Sequence, residues 1–186
     1  MSVIIVDNES KYTAALVKLL RHENPKLINY KELDYTTLSK NDIVILTGGH
    51  GDPILWHKKQ YQQEIDLVKK HKGPIIGICL GFEVIAHIYG SHLHLLNERR
   101  KGEIQLSSTK KVVFPIPDKV EVYENHNWTV QKLKRPLIAL AISKDGVELF
   151  KHSRKPIYGL QFHPEASSSN GMSIFNAILE QVKKLR

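Results

Sequence analysis

Pro74-Ile75-Ile76-Gly77-Ile78-Cys79-Leu80-Gly81, residues 74–81, decides the fold. The apolar run 74–78 reads as a short buried strand. Phe82 to Tyr89 carries apolar residues at helical spacing, with Gly90 as its stop. Cys79, the single cysteine of the 186 residues, therefore falls on a strand-to-helix turn between Gly77 and Gly81. That is the form of a nucleophile elbow with sulfur in place of a serine oxygen. Glycines on both sides admit a cramped turn that side chains would block. A helix N-terminus behind the sulfur predicts a favoured thiolate, through unpaired N–H groups and the macrodipole. A lone cysteine can also be an inert buried residue, so the rest of the chain has to choose between the two.

Working outward toward the N-terminus, strands alternate with helices. Strand 2–6 leads to a helix over about 10–22, with Leu16, Leu19 and Leu20 as its apolar stripe. A strand near 26–30, strand 42–46, a glycine loop at 47–53 and a helix of about 58–72 then lead into strand 74–78. This order predicts an α/β fold, a mostly parallel central sheet with helices on both faces. Sites in such sheets lie beyond the carboxyl ends of the strands, so the loops after 2–6, 42–46 and 74–78 open on one edge. Toward the C-terminus the chain turns β-rich, with strands predicted at 103–107, 110–114, 119–124, 137–142, 147–151 and 156–162. This adds an antiparallel portion in the second half. A closing helix runs from Met172 to Leu185, with Asn170-Gly171 at its start. Residues 1–186 read as one domain, without internal repeat or linker.

Composition fits a soluble globular protein, with 41% hydrophobic and 25% charged residues. One cysteine excludes an internal disulfide and suits a reducing, cytoplasmic setting. No apolar stretch approaches a membrane span, and the N-terminus carries no signal peptide pattern. The formal charge of +8 is spread over short basic pairs and triplets without interleaved aromatics. It is read as a solvated surface or a face for an acidic partner protein rather than a nucleic-acid platform.

Strand 156–162 ends in His163-Pro164-Glu165. In an extended chain residues 163 and 165 point to one side, and Pro164 disfavours helix at His163. A histidine oriented by a carboxylate beside a cysteine is an activated thiol. Thr47-Gly48-Gly49-His50-Gly51-Asp52-Pro53 follows a buried strand and exposes N–H groups suited to an oxyanion, together with the N–H of Leu80. It lacks the Gly-Lys-Ser/Thr of a P-loop. The His and Cys positions lack metal-ligand spacing, so no metal and no cofactor are expected.

GICLG at 77–81, TGGHGDP at 47–53 and YGLQFHPE at 158–165 resemble, in order and rough spacing, the three signatures of class I (triad-type) glutamine amidotransferases. VDNESKYT at 6–13 is similar to the family's first strand and loop, so the resemblance spans nearly the whole chain. It implies a flavodoxin-like architecture and a Cys79, His163, Glu165 triad that hydrolyses the L-glutamine side-chain amide through a thioester. Gly49 and Leu80 are implied as oxyanion donors and Gly51 as a glutamine contact. Asn125-His126-Asn127-Trp128 is similar to a segment of carbamoyl-phosphate synthetase small subunits, and it implies Asn125, Asn127 and Trp128 as substrate contacts. Asn97-Glu98-Arg99-Arg100-Lys101-Gly102 is similar to a segment of GMP synthases. A separate ATP-pyrophosphatase synthetase subunit, that of GMP synthase, is thus implied as the ammonia acceptor.

Two positions depart from the family pattern. Glu83 stands where the family usually has glutamine, at a position implied to touch substrate, and His50 stands where proline is common. A free-standing γ-glutamyl hydrolase or peptidase, and a catalytically weakened regulatory subunit, are the alternatives.

Overall fold

The computed structural model describes residues 2–49, 59–109 and 114–184. Gly51, His50 and most of the predicted strand 110–114 lie outside them. Strand β1 (Val3–Asn8) is buried along most of its length because both of its faces are covered. Val3 and Ile5 pack with Leu16, Leu20, Phe175 and Ile178, whereas Ile4 and Val6 pack with Leu67, Val68, Phe82 and Val84. A pleated strand sends alternate side chains to opposite faces. A continuous apolar run is therefore what a strand between two helix layers requires.

One layer is α1 (Thr13–Leu19) and α4 (Ser169–Lys184); the other is α2 (Gln62–Lys70) and α3 (Leu80–Ile88). The remaining strands are β2 (Lys26–Asn29), β3 (Ile43–Gly49), β4 (Ile75–Ile78), β5 (His94–Ser108), β6 (Lys119–Thr129), β7 (Leu137–Ile142), β8 (Val147–His152) and β9 (Ile157–Leu160). Among the described residues they form one nine-stranded sheet, ordered β2-β1-β3-β4-β9-β8-β7-β5-β6. The first five are parallel, in the doubly wound order 2-1-3-4 with β9 completing the row, and the last four join antiparallel. The antiparallel half thus extends the same sheet.

Several boundaries differ from the sequence reading. The first helix is shorter than 10–22: it ends at Leu19 and passes into a 3-10 turn, Arg21–Glu23, closed by Asn24 in the left-handed region. β5 begins nine residues earlier than expected, and β6 runs on through the Asn125–Trp128 segment. The first half of β5 is polar and mostly exposed, so hydrogen bonding to β6, rather than burial, holds it extended.

Burial is less favourable at Glu64 on α2. It is 1% exposed; Asn8 Nδ2 donates to its Oε1 at 3.0 Å, and its Oε2 has no hydrogen-bond partner. Desolvation pushes its carboxyl up to about 7, the Asn8 bond opposing. A folded pKa above the unfolded one stabilises the fold below pH 4.5, and this stabilisation is lost as pH rises through 7. Glu64→Gln keeps the Oε1 acceptor and removes the charge. It is expected to raise Tm by about 5 °C at pH 8 and by little at pH 5. Equal Tm values for the two proteins at pH 8 in a calorimetric scan would contradict this.

Candidate active site

Cys79 sits between β4 and α3 at φ 50°, ψ −103°, a backbone region costly for any side chain. The strain falls on the cysteine itself, while the flanking glycines permit close approach. A methyl on Gly81 would lie 2.5 Å from Leu46 O, and one on Gly77 would collide with Gly81 O. β4 and β9 pair in parallel, with Ile78 opposite Leu160, and Cys79 N–H donates to Leu160 O at 2.7 Å. Cys79 and the His163-Pro164-Glu165 segment therefore leave the same sheet edge from adjacent strands.

His163 is 2% exposed, and its Nδ1 lies 2.8 Å from Glu165 Oε1. The carboxylate can only accept, so Nδ1 carries the proton and Nε2 keeps its lone pair. Three further contacts fix the residue. His163 N–H donates to Tyr123 O at 2.8 Å, Ser167 Oγ donates to His163 O at 2.6 Å, and the Tyr12 ring lies 4.4 Å away, centroid to centroid. A methyl on Gly48 would sit 2.9 Å from His163 Cε1 and 3.4 Å from Cys79 Cβ. Histidine ring and cysteine thus flank one small volume, kept open by a glycine.

Beside them opens a cavity of about 420 Å³. Cys79, Gly49, Leu80, Glu83, Asn125, Asn127 and Trp128 line it, which gathers the expected site residues among those described other than His163 and Glu165. Lys11, Arg99 and His126 also line it and were not expected. Arg99 arrives through an irregularity in the ladder. Leu95 pairs with Trp128 and Arg100 with His126, so four residues of β5 face one of β6. Such a bulge re-aims side chains, and Arg99 Nε donates to Asn125 Oδ1 at 2.8 Å. Asn125 Nδ2 donates to Tyr12 Oη at 2.9 Å. In the sequence, only the NERRKG and VDNESKYT similarities point toward Arg99 and Lys11.

The electrostatics correct one expectation. Burial first, then the charges of Glu83 and Glu165, push the Cys79 thiol well up, and the Leu80 N–H pulls it down less. A helix terminus contributes about 0.3–1 kcal/mol, whereas full burial moves a pKa by up to about 3–5 units. The resting group is the thiol, and it points to Asn125 O at 3.9 Å. Glu83 is buried too. Desolvation raises its carboxyl to about 7, while His126 and a 3.3 Å bond from Gln161 Nε2 oppose the rise.

The family model for glutamine amidotransferase class-I matches residues 4–181. A glutamine-hydrolyzing GMP synthase subunit from Methanobrevibacter smithii is 29% identical over 195 residues, covering 99% of this chain and 97% of that protein. The protein of the same name from Pyrococcus furiosus is 32% identical over 179 residues, covering 92% and 94%. A crystal structure from Thermoplasma acidophilum, provisionally assigned to the same GMP synthase subunit, superposes with a TM-score of 0.85 at 25% identity, covering 99% of this chain and 94% of that one.

Proposed function

Because the chain belongs to the class I glutamine amidotransferase family, we propose that Cys79, His163 and Glu165 hydrolyse the L-glutamine side-chain amide for a separate synthetase subunit. The observation that carries this reading is the meeting of cysteine and carboxylate-bound histidine at one sheet edge, beside a lined cavity. His163 Nε2 takes the thiol proton as sulfur adds to the amide carbon. Glu165 holds the ring and stabilises the imidazolium. The N–H groups of Gly49 and Leu80 receive the oxyanion. The carbon–nitrogen bond then breaks, and His163 returns the proton to the departing ammonia. Water attacks the γ-glutamyl thioester, gives its proton to His163, and releases glutamate and the thiol. Asn125, Asn127 and Trp128 are assigned to holding the amino-acid end, and Gly51 to a place close to bound glutamine. Lys11 and Arg99 supply positive charge for its carboxylate.

The acceptor is assigned to the ATP-pyrophosphatase subunit of GMP synthase, in keeping with the two relatives named above. The chain acts as one domain in the cytoplasm, and its +8 charge suits an acidic docking face. No helix among the described residues is long and apolar enough to cross a membrane. Glutamine hydrolysis measured with and without that synthetase tests the assignment. Turnover that rises with the synthetase is expected. Cleavage of γ-glutamyl peptides with no response to it would establish the free-standing hydrolase instead. Absence of a trapped thioester with any γ-glutamyl donor would establish the regulatory subunit.

Glu83 tunes substrate binding. Below pH 7 it carries a proton and resembles the glutamine usual in the family; above pH 7 its charge repels the substrate carboxylate. The KM for glutamine is expected to rise several-fold between pH 6 and 8. Glu83→Gln lowers KM at pH 8 and flattens the profile. A wild-type KM that is constant over this range and equal to the variant's would remove this role.

A further inference from the structure

We infer that Glu124, His126 and Glu148 form a site for one divalent first-row transition cation, of the Zn²⁺ or Mn²⁺ kind, behind the wall of the substrate cavity. One ligand atom from each lies within 4.8 Å of the others, and all three side chains are buried. Glu124 and His126 are two apart on β6 and so share a face. Glu148 comes from β8, because the end of β6 lies against the β7–β8 hairpin: Val147 N–H donates to Val130 O at 2.8 Å and Thr129 Oγ1 to Asp145 O at 2.9 Å. The third ligand is thus remote in sequence, which is why ligand spacing does not reveal the group.

His126 Nδ1 is 2.7 Å from Trp128 O. A carbonyl cannot donate, so Nδ1 holds a hydrogen and Nε2 faces inward, 3.2 Å from Glu124 Oε2, as an ion-pair partner when protonated and as a cation ligand when not. An imidazole pinned by Nδ1–H to a backbone carbonyl is the support that metal-bound histidines have. Ser143 donates to Glu148 Oε1 at 2.7 Å. Outside the cluster itself, both Glu124 oxygens, Glu148 Oε2 and His126 Nε2 have no hydrogen-bond partner among the described residues. Arg100 is the neighbouring cation, and its fork is engaged by Asp145 at 2.7 and 2.9 Å. The Glu124 and Glu148 carboxyls adjoin, and His126 Nε2 stands 3.2 Å from one of them. The cluster therefore has to share protons or hold a cation, and one divalent ion would balance both carboxylates. Nitrogen with two carboxylates suits Zn²⁺ or Mn²⁺ better than the all-oxygen preference of Ca²⁺ or Mg²⁺. His126 also lines the cavity, which gives an ion a way in.

The test uses the full chain after chelator treatment, and it does not depend on glutamine turnover. Calorimetric titration with Zn²⁺, and separately with Mn²⁺, is expected to show one equivalent bound. Glu124→Gln and Glu148→Gln, which keep shape and remove buried charge, should each weaken binding by about 100-fold or more. Diffraction at the zinc edge is expected to place one anomalous peak about 2.0–2.1 Å from His126 Nε2, a readout that needs no variant to fold. Absence of binding overturns the site, as do an unchanged equivalent in both variants and a peak only on surface histidines. Variants that are stabilised while the wild type takes up no ion would show that protons alone fill the cluster.

Discussion

Cys79→Ala is expected to lower glutamine turnover by about 10⁴-fold or more, with Tm changed by only about 2–3 °C. The size of the effect follows from the chemistry: no other cysteine exists in the chain, and without a nucleophile the thioester route closes. Loss of a nucleophile that works as a unit with its base costs about as much as loss of the whole unit. What remains is binding and the oxyanion donors. The fold should survive because the change removes one atom from a site that is costly to begin with. The backbone at φ 50° strains alanine as it strains cysteine, and the sulfur's polar contacts are a long one to Asn125 O and the Leu80 N–H. Kinetics with circular dichroism, and mass spectrometry of enzyme quenched with glutamine, check both halves. Turnover within tenfold of wild type, or a γ-glutamyl adduct on the variant, would move the nucleophile elsewhere.

The parallel half was legible because it is written in buried residues. Runs such as Val3–Val6 and Ile43–Leu46 are apolar throughout, and packing on both faces permits little else. The elbow was legible from Gly77 and Gly81, whose missing side chains leave room for Leu46 and for each other. The antiparallel half is harder to read. Residues 94–102 of β5 are held by backbone bonds to β6, so no apolar pattern marks them. The Asn125–Trp128 segment resembles a polar loop by composition, yet it is the wall of the cavity, on a strand. Arg99 reaches that cavity through a ladder irregularity, and Glu148 meets Glu124 through the hairpin's placement. Neither has a local signal. The thiol's protonation was also out of reach, because three carboxylates around Cys79 become neighbours only after folding.

Gly48→Ala is expected to cut kcat about 100-fold while KM for glutamine stays within about twofold. Gly48 is buried at the end of β3 and does not need glycine for its backbone angles, so alanine costs the fold little there. The added methyl is the problem. It would stand 2.9 Å from His163 Cε1, closer than carbon atoms tolerate, and 3.4 Å from Cys79 Cβ. The imidazole has no easy retreat. Glu165 holds Nδ1, Tyr123 holds the backbone N–H, and Tyr12 covers a ring face at 4.4 Å. Ring and sulfur must therefore separate by a few tenths of an ångström or tilt out of line. Misplacement on the order of 1 Å between reacting groups costs about 100-fold. In the proposed assignment glutamine is held by other parts of the cavity, so KM is expected to be spared, and a Tm within about 3 °C of wild type excludes unfolding as the cause. A kcat within threefold of wild type would mean that proton transfer does not pass through this gap.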